Sequence, residues 1–126
     1  MPFVFVNGVP KSANKTTLVI LRQEIVNTLA QKMGSPANWI RTYFPVDMLD
    51  EPELEADGAR TIYVQLHTAM FATKPDTDAL AKDVAYALAE LVWNSFRGRY
   101  EVECFVVELN PEQKCLISAL PDSAFD

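Results

Sequence analysis

Two strand–helix–strand patterns follow one another along the 126 residues, and this repeat limits the possible folds more than any other feature. The first pattern covers residues 1–45 and the second covers residues 61–109, with an acidic segment at 46–60 between them and a strand or tail at 110–126. Parallel strands that follow each other need a crossover connection, which is usually a helix. The sequence therefore predicts a single α/β (α+β) domain, in which two tandem β-α-β units form a four-stranded sheet with two helices on one face.

Both predicted helices have recognisable ends. Asn14 is a candidate N-cap of the first helix, and Gly34 is a candidate C′ residue at its end. The second helix is predicted to begin at Asp76 or Thr77 and to break at Gly98. Apolar residues at helical spacing predict the core-facing stripes, namely Leu18, Leu21, Ile25, Leu29 and Met33, then Leu80, Val84, Leu88 and Leu91.

The predicted strands lie at residues 1–8, 38–44, 61–67 and 101–109, with a short final strand at 115–120. In the first and fourth strands, apolar residues occupy both the odd and the even positions. One set can pack on the helices, but the other set needs a cover that this chain does not supply. The second set therefore predicts self-association through the uncovered sheet face.

Composition excludes several classes of function. A net charge of −6 argues against nucleic acid or an anionic membrane as a partner. The chain has no long apolar span and no signal sequence, so a cytoplasmic location is expected. Two cysteines, one histidine and an acidic segment without the calcium-loop pattern predict no disulfide framework and no metal site, and the family resemblance described below implies an enzyme without a cofactor.

Pro2 is the candidate catalytic residue. If Met1 is removed, the secondary amine of Pro2 becomes the amino terminus at the start of a buried strand. Burial disfavours the charged amine and lowers its pKa from about 8 toward neutrality, where a general base works best. In the alternative interpretation Pro2 is only a strand-start residue, where a missing N–H costs nothing. Both interpretations remain open.

Arg41 is the candidate carboxylate ligand. It lies within an aromatic run that contains Trp39, Tyr43 and Phe44, and its planar guanidinium matches the geometry of a carboxylate. The alternative is an ion pair with a neighbouring acid. Lys11, near the start of the first helix, is either an additional anion ligand or a solvated lysine.

The proline that opens strand one, the long first helix and the repeated unit resemble the tautomerase superfamily, which includes 4-oxalocrotonate tautomerase and macrophage migration inhibitory factor. The resemblance covers nearly the whole chain. It is carried by Met1-Pro2, Gly34-Ser35-Pro36 and Trp39-Ile40-Arg41, and the stretches Asn7-Gly8-Val9-Pro10 and Leu66-His67-Thr68 look like the migration-inhibitory-factor branch.

This resemblance implies a homotrimer in which three subunits pack their sheet faces inward. It also implies that Pro2 moves a proton between oxygen and carbon of a small 2-keto or 2-hydroxyalkenoate acid. Arg41 would hold the substrate carboxylate, and an aromatic wall of Trp39, Phe44 or Phe105 would exclude water. His67 is interpreted as a structural, hydrogen-bonded histidine.

The chain departs from the family pattern at three positions. Ser35 stands where the migration-inhibitory-factor branch has a lysine, with Lys32 one turn earlier, and the expected tyrosine and asparagine fall at about Glu103 and Phe105. Glu103 either assists proton transfer, polarises a water or pairs with Arg41. These departures leave open a decarboxylase or hydratase variant, and also a non-catalytic trimeric binding protein of the same fold.

Overall fold

The computed structural model describes residues 2–49, 60–71 and 76–125. They form four strands, β1 (Phe3–Asn7), β2 (Arg41–Tyr43), β3 (Thr61–Thr68) and β4 (Glu101–Glu108), and two α-helices, α1 (Lys15–Met33) and α2 (Asp78–Ser95). Short 3-10 helices lie at Ala37–Trp39, Pro111–Gln113 and Asp122–Phe125. The prediction of two tandem β-α-β units is confirmed. Met1 and most of the acidic segment predicted at 46–60 lie outside the described residues.

The four strands form one mixed sheet in the order β2-β1-β3-β4. β1 and β2 run parallel, as do β3 and β4, because each pair is joined through a helix. The central pair, β1 and β3, is antiparallel and places Phe3 opposite His67. The two units therefore meet in the middle of the sheet, and each supplies one edge strand.

The core lies between the sheet and both helices. Even-numbered strand residues such as Val4, Val64 and Leu66 are fully buried, and they pack with buried leucine and valine side chains of α1 and α2. Side chains alternate along a strand, so the odd-numbered residues point to the opposite side. Within the described part of the chain only one face of the sheet is covered, as the apolar pattern predicted.

Local signals set both ends of α1 as predicted. The Asn14 side-chain oxygen accepts a hydrogen bond from the Thr16 N–H at 2.8 Å. Gly34 adopts the left-handed conformation, with φ +70°, and its N–H donates to the Ala30 carbonyl at 3.1 Å.

Two predicted strand segments are wrong. Trp39 belongs to a 3-10 helix and donates its N–H to the Pro36 carbonyl at 2.9 Å, so β2 begins only at Arg41. Residues 115–120 form no strand and are exposed. A strand needs a hydrogen-bonded neighbour, and among the described residues none pairs with this segment. The strand propensity of residues 115–120 therefore predicted a strand, but propensity does not supply the partner strand that pairing needs.

Alanine substitutions at Gly34, after α1, and at Gly98, after α2, would compare how tightly the two helix ends are packed. Both have φ +70°, but a Cβ at Gly98 would lie 2.6 Å from Cζ2 of Trp93, whereas a Cβ at Gly34 would meet open space. We expect Gly34→Ala to lower the free energy of unfolding by about 1 kcal/mol, from backbone strain alone. Gly98→Ala should cost roughly 1 kcal/mol or more beyond that, because the indole must move. Urea denaturation measures both, and equal losses would contradict the close Gly98–Trp93 packing.

Candidate functional site

The uncovered side of the sheet, called the open face here, carries the residues that the sequence singled out for assembly. Tyr43 and Phe105 keep 47% and 46% of their surface exposed, a large fraction for aromatic residues within strands. An exposed aromatic surface of this kind is typical of an interaction face. The open face consists of Phe3, Phe5, Asn7, Arg41, Tyr43, Thr61, Tyr63, Gln65, His67, Glu101, Glu103, Phe105 and Val107.

An aromatic cluster occupies the centre of the open face. The His67 ring stacks on Phe3 with centroids 5.0 Å apart, and it meets Phe5 edge-on at 5.3 Å. Tyr43 extends the cluster from β2, with its ring centroid 5.5 Å from that of Phe5. His67 Nε2 lies 3.4 Å from the side-chain oxygen of Gln65. These contacts support a structural role for His67.

Pro2 lies at the end of this sheet, directly before β1. It is buried even in the single chain, and its carbonyl oxygen accepts a hydrogen bond from the Arg41 backbone N–H at 3.3 Å. The backbones of the candidate base and the candidate carboxylate ligand are therefore adjacent. Met1 lies outside the described residues, so its removal stays a prediction.

The Arg41 side chain is exposed and turns toward its own backbone. Its Nη1 donates to the carbonyls of Asn38 and Ile40, the latter at 3.2 Å. It forms no ion pair with any carboxylate in the described part of the chain. Nε and Nη2 have no partner among these residues, so part of the guanidinium can still bind an anion.

Neither Ser35 nor Lys32 provides, through its described contacts, the cation that the family pattern has after the first helix. Ser35 is buried, and its hydroxyl donates to the Met70 sulfur at 3.0 Å. Lys32 pairs with Asp83 of α2 at 2.7 Å, which ties the two helices together. Neither side chain is directed to the Pro2 end of the open face by these contacts.

Glu103 and Phe105 lie on β4, at the opposite edge of the sheet from Arg41. Val107, not Glu103, is level with Phe3 across the sheet. At about 4.8 Å between strands and 3.3 Å per residue, Glu103 is roughly 15–20 Å from Pro2. Within one chain, the predicted site residues therefore form two separate groups.

Of the three remaining candidates, Phe44 and Lys11 lie away from Pro2, whereas Trp39 lies at the Pro2 end of the sheet. Phe44 is partly buried on the helical side, with the Arg22 guanidinium 5.6 Å from its ring centroid. Lys11 follows the far end of β1, about 17 Å along the strand, and its Nζ donates to the Met48 carbonyl at 2.9 Å. Trp39 is half exposed just before β2.

The described residues contain no group of three or more His, Cys, Asp or Glu side chains that could hold a metal ion. Nor does any helix in these ranges have the length and apolar character needed to cross a bilayer. Cys104 points toward the helices, and burial raises the pKa of its thiol to about 12, which is unsuitable for a nucleophile.

The chain is similar to known proteins in fold and not in sequence. No protein-family model matches the chain, and no match was found among curated proteins. Solved structures do match over nearly the full length. A fused 4-OT, described as a wild-type symmetric trimer, has a TM-score of 0.71 at 12% identity and covers 96% of this chain and 98% of its own. The chain has the tautomerase superfamily fold.

Other structures with this fold are similarly distant in sequence. A macrophage migration inhibitory factor-like protein from Entamoeba histolytica has a TM-score of 0.66 at 8% identity, covering 92% of this chain and 95% of its own. A second fused 4-OT, also described as a symmetric trimer, has a TM-score of 0.60 at 19% identity and covers 98% and 97%. At these identities the likeness defines the fold alone.

The two free thiols should differ sharply in reactivity. Cys115 is exposed, whereas the thiol of Cys104 has a pKa near 12 because it is buried. At pH 8 only roughly one Cys104 thiol in 10⁴ is ionised. We expect Ellman's reagent to label one thiol in the native protein and two after denaturation. Cys115→Ser should remove the native labelling and Cys104→Ser should not; rapid labelling of both native thiols would contradict the burial of Cys104.

Proposed function

We propose that the protein is a cofactor-independent tautomerase that uses the amino-terminal nitrogen of Pro2, after removal of Met1, as its base. The observation that carries this proposal is the position of Pro2. It is buried at the start of a central strand, and Arg41 is its backbone neighbour on β2. A neutral secondary amine beside a carboxylate-binding arginine suits proton transfer in a small keto acid.

The proposed reaction moves one proton. The Pro2 nitrogen takes the hydroxyl proton of a 2-hydroxyalkenoate, and the electron pair of the O–H bond forms the C=O bond. The enol π electrons then take the proton from the prolinium at carbon, which produces the 2-keto acid and restores the neutral amine. A positioned base of this kind typically contributes an acceleration of about 10²–10⁴-fold.

Arg41 would orient the substrate and lower the pKa of the prolinium. Its Nε and Nη2 are directed to no described partner, so they are the donors proposed for the substrate carboxylate. The positive charge also disfavours a second cation nearby, which keeps the Pro2 amine neutral near pH 7.

We also propose that three copies pack their open faces together and that each site is shared between two copies. The two fused 4-OT structures with this fold are described as symmetric trimers. Arg41 and Glu103 lie on opposite edges of one sheet, so in a ring the β2 edge of one copy can meet the β4 edge of the next. Glu103 and Phe105 would then complete the site that begins with Pro2 and Arg41 of the neighbouring copy.

A non-catalytic binding protein with the same fold is the second candidate. It is favoured by Arg41 Nη1, which is already bonded to backbone carbonyls, and by the buried Ser35 at the position of the family lysine. A decarboxylase or hydratase is a variant of the catalytic proposal, since a carboxylate such as Glu103 can also polarise water. Product analysis separates these reactions, because only decarboxylation releases CO₂.

The base is tested by intact mass together with an enol-to-keto assay on phenylenolpyruvate and 2-hydroxymuconate. We expect the native protein to lack Met1 and Pro2→Ala to lower kcat by about 10²-fold or more. Arg41→Met, which keeps the aliphatic stem, should mainly raise KM. Retention of Met1 in the native host, with no turnover of either substrate, would refute the tautomerase and favour the binding protein.

The shared site is tested by mixing two variants. At a substrate concentration well below KM, Arg41→Ala and Glu103→Ala should each lose most of the activity. Refolding them together in equal amounts should restore about a quarter of the sites, because one interface in four combines the intact residues. No recovery in the mixture would show that the two residues do not act across a boundary. Full activity of Glu103→Ala alone would remove Glu103 from the mechanism.

A further inference from the structure

Two cavities beside the helices have no role in the proposed reaction. The first, the groove beside Trp93, lies between α2 and β4 and has Glu90 in its lining. The second lies between the start of α1 and the end of α2, and no acidic residue is among the described residues that line it. We call it the basic pocket. It encloses about 410 Å³, and its lining includes Pro10, Ser12, Thr17, Phe96, Arg97 and Arg99.

Positive charge is concentrated at the basic pocket, although the chain as a whole is acidic. The chain has 17 acidic and 11 basic residues. Nevertheless Arg97 and Arg99 both line the pocket, and Lys15 is the first residue of α1, whose first turn carries no acidic residue. Like charges close together repel each other, and cations are unfavourable at this end of a helix. A bound anion would remove the repulsion.

Arg97 supplies hydrogen-bond donors that the protein does not use. Its side chain is exposed and forms no ion pair or hydrogen bond within the described part of the chain. The residue lies in the turn after α2 with φ +55°, a conformation that favours glycine. The turn itself therefore gives no reason for an arginine at this position, whereas a ligand in the pocket does.

Two hydroxyl groups provide donors on the α1 side of the pocket. Ser12 lies in the loop after β1, and Thr17 lies in the first turn of α1. Neither hydroxyl makes a hydrogen bond within the described residues. The N-cap of α1 is already satisfied, because Asn14 accepts from the Thr16 N–H. The donors for a ligand are therefore side chains, with hydroxyls on one wall and Arg97 on the other.

This arrangement suits a phosphate better than a carboxylate. A carboxylate has two oxygens in one plane, which a single guanidinium can satisfy, whereas a phosphate monoester has three terminal oxygens and a charge near −2. Donors on two opposite walls match the tetrahedral group. Pro10 and Phe96 add apolar surface, and the Phe96 ring meets Tyr100 edge-on with centroids 5.7 Å apart. The pocket therefore has room for an apolar group beside the anion.

We propose that the basic pocket binds a small organic phosphate. Arg97 would hold two phosphate oxygens as a bidentate pair, Ser12 and Thr17 would donate to the third oxygen, and the carbon skeleton would pack on Phe96. Arg99, whose guanidinium carbon lies 5.3 Å from the Tyr100 ring centroid, would add positive charge. The pocket follows β1, whereas Pro2 precedes that strand, so the site is separate from the proposed base.

Isothermal titration calorimetry at constant ionic strength and near-neutral pH tests the ligand class. The probes are phenyl phosphate, inorganic phosphate and benzoate. We expect one saturable phenyl phosphate site per chain. Inorganic phosphate should bind at least about threefold more weakly because it lacks the apolar contact, and benzoate at least about tenfold more weakly because it lacks the third oxygen. No saturable binding of phenyl phosphate, or equally tight binding of benzoate, would overturn the proposal.

Arg97→Gly is the decisive variant, because it removes the guanidinium and suits the conformation of the turn. It should weaken phenyl phosphate binding by about tenfold or more, while the midpoint of urea unfolding stays the same or rises. Thr17→Val, which keeps the shape of the side chain, should weaken binding by roughly fivefold. Lys82→Ala removes the same charge from an exposed position of α2 outside the pocket and should change binding less than about twofold.

Two comparisons locate the site. Equal losses of binding in Arg97→Gly and Lys82→Ala would show a general effect of charge and would refute the pocket. Arg41→Met should leave phenyl phosphate binding unchanged, and loss of binding in this variant would assign the ligand to the Pro2 end of the sheet instead.

Unfolding in urea gives a second measure of the same binding. A ligand that binds only the folded state raises the midpoint, so phenyl phosphate should raise the midpoint of the unsubstituted protein and not that of Arg97→Gly. Equal rises in both proteins would contradict the proposal. Because no step measures turnover, an inactive enzyme would leave these results unaffected, and failure to bind phosphate would leave the tautomerase proposal untouched.

Discussion

The structure depends on the alternation of side chains along four short strands. Even-numbered residues such as Val4 and Leu66 fill the space beneath α1 and α2, which commits the odd-numbered residues to the open face. A shift of one residue in β2 or β4 would expose core side chains and bury Arg41 or Glu103. The same constraint therefore fixes the core, the aromatic cluster around His67 and the placement of the candidate site.

The features predicted correctly from the sequence are those with local causes. Asn14 and Gly34 act through hydrogen bonds within a few residues, and the spacing of Leu21, Ile25 and Leu29 identifies the buried side of α1 without knowledge of the rest of the chain. The β-α-β units follow from the same short-range patterns. By contrast, residues 115–120 have the composition of a strand, but pairing requires a partner that propensity does not specify.

The site was only partly predictable, because it depends on strand order and register. The sequence predicted one site containing Pro2, Arg41, Glu103 and Phe105, but the order β2-β1-β3-β4 puts β2 and β4 on opposite edges of the sheet. Phe44 is an even-numbered residue and packs against the core on the helical side, a placement that its aromatic neighbours in the sequence do not reveal. The stacking of His67 on Phe3 and the groove beside Trp93 each join segments far apart in sequence, so local pattern alone could not reveal them.

The antiparallel pairing of β1 with β3 has a consequence for stoichiometry. It relates the two β-α-β units by an approximate two-fold axis. The start of β3 in the second unit is therefore equivalent to the start of β1 in the first unit. Yet Arg60, which precedes β3, is joined to its neighbours by peptide bonds and carries no free amine at its backbone nitrogen. Assembled copies would thus present twice as many equivalent strand starts as terminal amines. Under the proposed mechanism, half of these pseudo-symmetric positions would lack the base, and their sequence could diverge without affecting proton transfer.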